Sequence, residues 1–428
     1  MILKNCTLLT GNIGEVIQDA SIVIKGDKIV DLVTSDRPFE KHADKETYDM
    51  QGKIVMPGLS NPYSSFYISE LGLLNRLLNS DLPSYEKFSK IYGYSEKIFS
   101  NHDFFEKLVR MAAYKSIYNG LTSTVIAIPV SKNLPDMNSS SLDLGIKIKY
   151  SPVILSENGI NKALKDELLA NDDISSITLL GIWGLENEDY DFLRTFMDKG
   201  KRIKILMVDF NQEDRYSMLK HGKGLLEILK NQNILSKKID IVFSVNIGQD
   251  LMDLFATKGI RLIKSIRTEV TEIGFSKNIL DLLGRGMKIA IGTGLIDYSL
   301  FEEAKALLIS EKLNGKAKQS IIYNEIERTI FMNNYQFIGE EFGTQLGKVA
   351  AGADADLTVL NYKTGKYLFK TNTPFTEIAL KVGCDVDIYG TIVGGKVSMW
   401  EGKILQMDQT EMIKIQNEIN NLSKETEV

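Results

Sequence analysis

Gly52-Lys53-Ile54-Val55-Met56-Pro57-Gly58-Leu59-Ser60-Asn61-Pro62-Tyr63-Ser64-Ser65-Phe66-Tyr67 is the stretch whose reading decides the fold. Residues 54–56 form an apolar run of strand length, and Pro57-Gly58 is a turn pair, so a buried strand ends there. Residues 59–61 then read as a second strand entering a core. Upstream the chain is β-rich. Residues 21–25 and 28–33 flank Gly26-Asp27, a two-residue hairpin signal. Downstream, from about 57 to 343, short apolar runs alternate with amphipathic helical patterns. Strands are expected at 59–61, 122–128, 146–154, 177–182, 203–208, 239–244, 261–263 and 288–291. Helical patterns fall at 103–118, 189–199, 218–229, 251–257, 277–283 and 301–313. Parallel strands need crossovers of this length, and eight such units close into a barrel. The expected fold class is therefore α/β, a (β/α)8 TIM-like barrel. The first crossover, about 66–120, is long and carries extra helices.

Strands resume near 345. Gly352-Ala353-Asp354-Ala355-Asp356-Leu357-Thr358-Val359-Leu360 reads as one, followed by residues 386–393, 396–399 and 401–405 with glycine turns. Chain start and chain end are expected to join in a small β-sandwich beside the barrel. The expected division is 1–56 with 344–405 as a composite sandwich, 57–343 as the barrel, and 406–428 as a surface helix and tail. In that tail Met412, Ile415 and Ile419 recur at helical spacing.

Composition narrows the function classes. The chain has 428 residues, 43% hydrophobic and 25% charged, with a formal net charge of −5. That suits a large globular protein with one big and one smaller domain. It has no Lys/Arg cluster of the nucleic-acid type, so no nucleic-acid partner is expected. The longest apolar runs fall short of a membrane span, and the N-terminus lacks the pattern of a signal peptide. Two distant cysteines, Cys6 and Cys384, read as reduced thiols of a cytoplasmic protein. The three histidines are His42 in a polar loop, His102 at a helix start, and His221 in or beside a helix. None ends an apolar strand, where a barrel site needs its ligands.

Several of these words resemble the amidohydrolase superfamily. They are Gly52 to Asn61, Gly120-Leu121-Thr122-Ser123-Thr124-Val125, Ala290-Ile291-Gly292-Thr293 and the stretch 346–360, with Thr373-Pro374-Phe375-Thr376 and Gly394-Gly395-Lys396-Val397 beyond. The resemblance spans about 1–405 and is strongest to the aminohydrolase and chlorohydrolase branch with its SsnA-like proteins. It implies the barrel-plus-sandwich fold, a cytoplasmic homodimer, and a mononuclear metal enzyme acting on ring C–N bonds or related leaving groups.

The same resemblance lets each ligand position be checked. Where the family has His-x-His after the first strand, this chain has Tyr63 and Ser65. At strand five, Leu206 stands at the ligand histidine and Asp209 at the catalytic acid. At strand six the ligand place falls on Phe243. At strand eight Gly292-Thr293-Gly294 ends on glycine instead of aspartate, and no lysine closes strand four. Leucine, phenylalanine and glycine side chains offer a metal no lone pair, so no metal and no cofactor is expected.

Asp209 has two readings, a residual acid at the barrel mouth or a carboxylate that caps a helix. Asn246 and Asp297 are further candidates for the mouth. Tyr63 either presents its hydroxyl there or packs. A relocated oxygen-only metal site of Asp209, Asp297 and Glu70 has no spacing signature. The favoured expectation is a barrel that has lost its metal site and serves as a non-catalytic binding or scaffolding subunit. Its partners would be a small molecule in the mouth and another subunit, itself or an active homologue. The alternative is a hydrolase of carbon–nitrogen bonds in a small cyclic substrate, with a metal-independent or divergent site.

Overall fold

The computed structural model describes residues 1–34, 46–73, 81–99, 101–130, 134, 144–243, 247–273, 279–313, 324–363 and 388–425. Eight strands, Leu59–Ser64, Leu121–Val130, Lys147–Leu155, Ser176–Leu180, Arg202–Leu206, Ile239–Val242, Arg261–Lys264 and Ile289–Ile291, pair in parallel in chain order. Ser64 bridges Gly294 in parallel and so joins the last strand to the first. At that seam Ser65 N–H donates to the Gly294 carbonyl at 2.7 Å, and Gly294 N–H to the Tyr63 carbonyl at 3.2 Å. The sheet is thus a barrel, as the alternation of runs predicts. Strands such as Leu121–Val130 are buried at every residue, because helices cover the outer face and side chains fill the inner one.

Two asparagine side chains hold the seam. Asn334 Nδ2 donates to the carbonyls of Ser60 and Ile291, at 2.9 and 2.7 Å, and its Oδ1 accepts Ile291 N–H at 2.8 Å. Asn61 Nδ2 donates to Thr293 Oγ1 at 2.8 Å, and its Oδ1 accepts the Tyr63 and Thr293 amides. These bonds give the words around Asn61 and Gly292-Thr293 a structural role independent of any metal.

A second, mixed sheet has nine strands. Ile2–Leu9, Val16–Lys25, Lys28–Val33, Thr47–Asp49 and Lys53–Pro57 come from the chain start. Leu357–Lys363, Ile388–Val393, Lys396–Trp400 and Lys403–Ile404 come from its end. Lys53–Pro57 joins the two groups. Val55 lies opposite Leu8 in a parallel pair and opposite Val359 in an antiparallel one. This sheet has its own core of Leu8, Ile22, Ile29, Val55, Leu357 and Ile392. The turn at Gly58 then feeds the first barrel strand. A Cβ there would lie 2.2 Å from Thr122 Cγ2, so the close approach of two strands requires glycine.

Three expectations are corrected. The helical pattern at 218–229 is two helices, Phe210–His221 and Leu225–Asn231, because Gly222 turns left-handed at φ 66°. The fourth barrel strand ends at Leu180, where Gly181 at φ 85° starts a 3-10 turn, Ile182–Gly184. The strand expected at 401–405 is only Lys403–Ile404. The tail forms the helix Gln409–Glu425, which buries Met412, Ile415 and Ile419 and leaves most of its other described side chains exposed. His42, Cys384, Asn246, residues 373–376 and the start of the strand expected at 386 lie outside the described residues. Among the described residues no helix is long and apolar enough to cross a membrane.

Candidate site at the barrel mouth

In barrels of this kind chemistry sits at the C-terminal ends of the strands. Here that end is covered by the helix Ser84–Phe99, part of the long first crossover. Tyr85, Phe88 and Tyr92 from one side of this helix are buried. The Tyr92 hydroxyl lies 3.1 Å from the Tyr63 hydroxyl and 2.9 Å from Ser65 Oγ. The Phe243 ring meets Tyr63 edge-on at 5.8 Å and Phe88 at 5.9 Å. Tyr63, Ser65 and Leu206 are 0% exposed and Phe243 2%. The structure therefore brings Tyr63, Ser65 and Phe243 together, with Tyr92 as the hub that sequence reading missed. A helical run of tyrosine and phenylalanine at spacings of three and four, residues 85, 88 and 92, is the signal that could have found it.

Phe243 adopts φ 72°, a conformation that strains a bulky residue by about 1–3 kcal/mol. Its packing between two rings offsets that strain. Burial drives the Tyr63 and Tyr67 hydroxyls well above their ordinary pKa and pushes Tyr92 up to about 12. All three stay neutral at physiological pH, so none supplies a phenolate as base or ligand.

The donor set does not fit the transition-metal ion that this fold commonly holds. Tyr63 and Ser65 hydroxyls are committed to Tyr92, and Leu206 and Phe243 offer no lone pair. At Gly294, φ 62°, an added Cβ would lie 2.5 Å from both Ser265 Oγ and Thr268 Oγ1. The space for a carboxylate at this position is filled by two hydroxyls. Among the described residues no group of three or more His, Cys, Asp or Glu is placed to hold a metal.

Asp209 caps the helix Phe210–His221. Its carboxylate accepts the Asn211 and Gln212 amides at 3.0 and 3.4 Å and the Gln212 side chain at 3.0 Å. Of the two sequence readings, the cap is the one its contacts display. Asp297 is gripped by both terminal nitrogens of Arg267, at 2.6 and 2.5 Å. Glu70 accepts Lys115 Nζ at 2.6 Å and the Tyr298 hydroxyl at 3.2 Å. Asp297 and Glu70 line one cavity of about 610 Å³ near the barrel seam, without Asp209. The three carboxylates named for a relocated metal are thus divided and already engaged. His102 is exposed at its helix start, and His221 Nε2 lies 2.9 Å from the Trp183 carbonyl.

A further acid lies beside the mouth. Glu213, one turn into the helix that Asp209 caps, is 0% exposed. The one hydrogen-bonding neighbour of its carboxyl among the described residues is the Ile182 backbone, at less than close geometry. Burial first, and the Asp209 charge second, raise its pKa from 4.5 to about 8.

No family model matches the chain. It is 20% identical over 411 residues to the 5-methylthioadenosine/S-adenosylhomocysteine deaminase of Pyrococcus horikoshii, covering 92% of this chain and 93% of that one. The zinc-complexed atrazine chlorohydrolase of Arthrobacter aurescens superposes with a TM-score of 0.81 at 15% identity, over 98% of this chain and 99% of the other. A zinc-bound adenosine deaminase from Xanthomonas campestris gives 0.81 at 15% identity, over 99% and 98%. This chain has the amidohydrolase-superfamily fold. The fold words in the sequence led to it, and the barrel, the seam and the paired sheet carry it. The fold resembles that of C–N bond hydrolases, and among the described residues the strand ends carry no cluster of the usual metal-ligand types.

Proposed function

We propose that this amidohydrolase-fold chain is a divergent hydrolase of carbon–nitrogen bonds in small cyclic compounds, with a site independent of the usual metal centre. The reading is supported by its likeness, along nearly the whole chain, to proteins named as deaminases and a chlorohydrolase. What shapes it is the hydroxyl and aromatic cluster of Tyr63, Ser65, Tyr92 and Phe243 where metal ligands would stand. Acid–base work is assigned to Asp209, which caps the helix Phe210–His221 and stays half-buried just past the fifth strand. Tyr63, Ser65, Leu206, Phe243 and Gly294 are taken as the surrounding residues of the mouth. Sparse cysteine usage suits action in the cytoplasm. The test is ammonia release by metal-stripped protein from a panel of aminopurines, their nucleosides and aminotriazines. Turnover that survives chelators and falls at least about 100-fold in Asp209→Asn is expected. Undiminished turnover in that variant removes Asp209 from the reaction.

One observation favours a second reading. Tyr63 and Tyr92 fill the mouth and hold each other's hydroxyls, which suits a non-catalytic binding or scaffolding subunit, paired with itself or with an active homologue. No turnover on any panel compound, with a defined oligomer in light scattering, is what this reading expects. Stoichiometric zinc or iron held by barrel side chains would sink both.

A further inference from the structure

We propose that the cavity beside the barrel seam binds a neutral, polyhydroxylated small molecule, a sugar of pentose or hexose size, against two tyrosines and three fixed carboxylates. The cavity of about 610 Å³ is lined by Ser69, Glu70, Tyr114, Tyr118, Asp297 and Glu302 among others. That volume suits a small-molecule site. Tyr63, Ser65 and Tyr92 do not line it, so the inference is separate from the hydrolase reading.

Three segments of the chain meet there. The first barrel strand runs out into the short helix Tyr67–Glu70. The eighth runs out into residues 296–299, ahead of the helix Leu300–Leu313. The helix His102–Tyr118 supplies the facing wall. Tyr114 and Tyr118 stand one turn apart on it and so share a face. Both are half-buried. Their hydroxyls, like that of Ser69, have no hydrogen-bond partner among the described residues. A tyrosine offers an apolar ring to the C–H side of a sugar and a hydroxyl to its edge.

The carboxylates are already aimed. Lys115 Nζ reaches both Glu70 oxygens at 2.6 Å, and the Tyr298 hydroxyl donates to one of them at 3.2 Å. Asp297 accepts Arg267 through both oxygens, at 2.6 and 2.5 Å, and the Ser299 amide at 2.8 Å. Glu302 accepts Lys305 at 2.8 Å. A carboxylate offers about four acceptor positions, so each keeps one or more for a ligand hydroxyl. Such charge-assisted bonds are strong, and acceptors that the chain itself orients lower the ordering cost of binding.

Charge decides between ligand classes. Lys115, Arg267 and Lys305 each stand against one of the three carboxylates, so the wall calls for neither a cation nor an anion. Arg267 is shared with the fully buried Glu303, which does not line the cavity. Lys115 is the one cation lining the cavity among the described residues. It is tied to Glu70 and, at 3.1 Å, to the Gln416 side chain. It makes no bond to the tyrosine hydroxyls. Hydroxyls that donate to carboxylates and accept from phenols are the chemistry that remains.

The test is saturation-transfer NMR on the full-length protein with D-ribose, D-xylose, D-glucose and D-galactose. Their methyl glycosides stand in for the sugar end of a larger molecule, and choline and malate represent an organic cation and an organic anion. Saturation of at least one sugar or glycoside, and of neither charged probe, is expected. Glu302→Gln and Tyr118→Leu are each expected to weaken the best-bound of these by about fivefold or more. Glu302 is half-buried, so its variant keeps the fold and carries the test even if Tyr118→Leu does not fold. No saturation of any sugar or glycoside, or a charged probe bound as tightly, overturns the assignment. So does an affinity unmoved in Glu302→Gln or in folded Tyr118→Leu.

Discussion

At the scale of single residues, the mouth is governed by what burial does to polar atoms. The three tyrosine hydroxyls around Ser65 are dry and neutral, and Glu213 is a carboxyl that holds its proton past neutrality. Its linkage has a definite sign. The folded chain keeps a proton that the unfolded chain loses near pH 4.5, so stability falls as pH rises from there to about 8. The full effect is on the order of 5 kcal/mol for one such group. Glu303 and Glu327, both buried and raised to about 7, add to the same slope. Glu213→Gln is therefore expected to flatten the fall in thermal midpoint between pH 5 and about 8 by one group's share. An unchanged pH profile would mean that this carboxyl is hydrated. No sequence pattern marks Glu213, because its burial depends on which turn covers it.

At the scale of elements, the helix Ser84–Phe99 changes what the barrel can do. Its tyrosine at 92 ties Tyr63 of the first barrel strand to Ser65 just past it, and its phenylalanine at 88 supports Phe243. Tyr92→Phe removes one hydroxyl and leaves Tyr63 and Ser65 hydroxyls without their shared partner. Urea unfolding is expected to show a loss of about 1–3 kcal/mol. Tyr92→Ala adds a cavity and should lose about 3–5 kcal/mol. If Tyr92→Phe is neutral, the hydroxyl cluster is wetted and the mouth is more open than its burial implies. The helix was legible only as extra helical length in a long crossover. That it turns back over the strand ends, with its aromatic side inward, follows from packing against Phe243 and Tyr63, which lie far away in the chain.

At the scale of the whole molecule, the decisive segment is Lys53–Pro57 and its continuation. It ties chain start to chain end in one sheet and then opens the barrel that the seam closes. Asn334, from a helix beyond the last barrel strand, holds that seam with three hydrogen bonds to backbone. Asn334→Ala strands buried backbone groups on both the first and the eighth strand. It is expected to cost about 3 kcal/mol or more in chemical denaturation, with a lower thermal midpoint. A loss below about 1 kcal/mol would mean that the strand pairing at Ser64 and Gly294 suffices to close the barrel.

The sequence by itself determined the alternation of strand and helix, the two-sheet plan, and which residue types stand at the strand ends. Those features are local, written in apolar periodicity, turn pairs and short words that any stretch of chain carries alone. Tertiary structure decided that Tyr63, Ser65 and Phe243 converge on Tyr92, and that Asp209 is drawn into a helix cap. It also decided that Glu213, one turn beyond that cap, is fully buried. The physical reason is that a hydroxyl, a carboxyl or an indole N–H takes its character from water excluded and partners supplied by remote segments. Neither can be counted along one dimension.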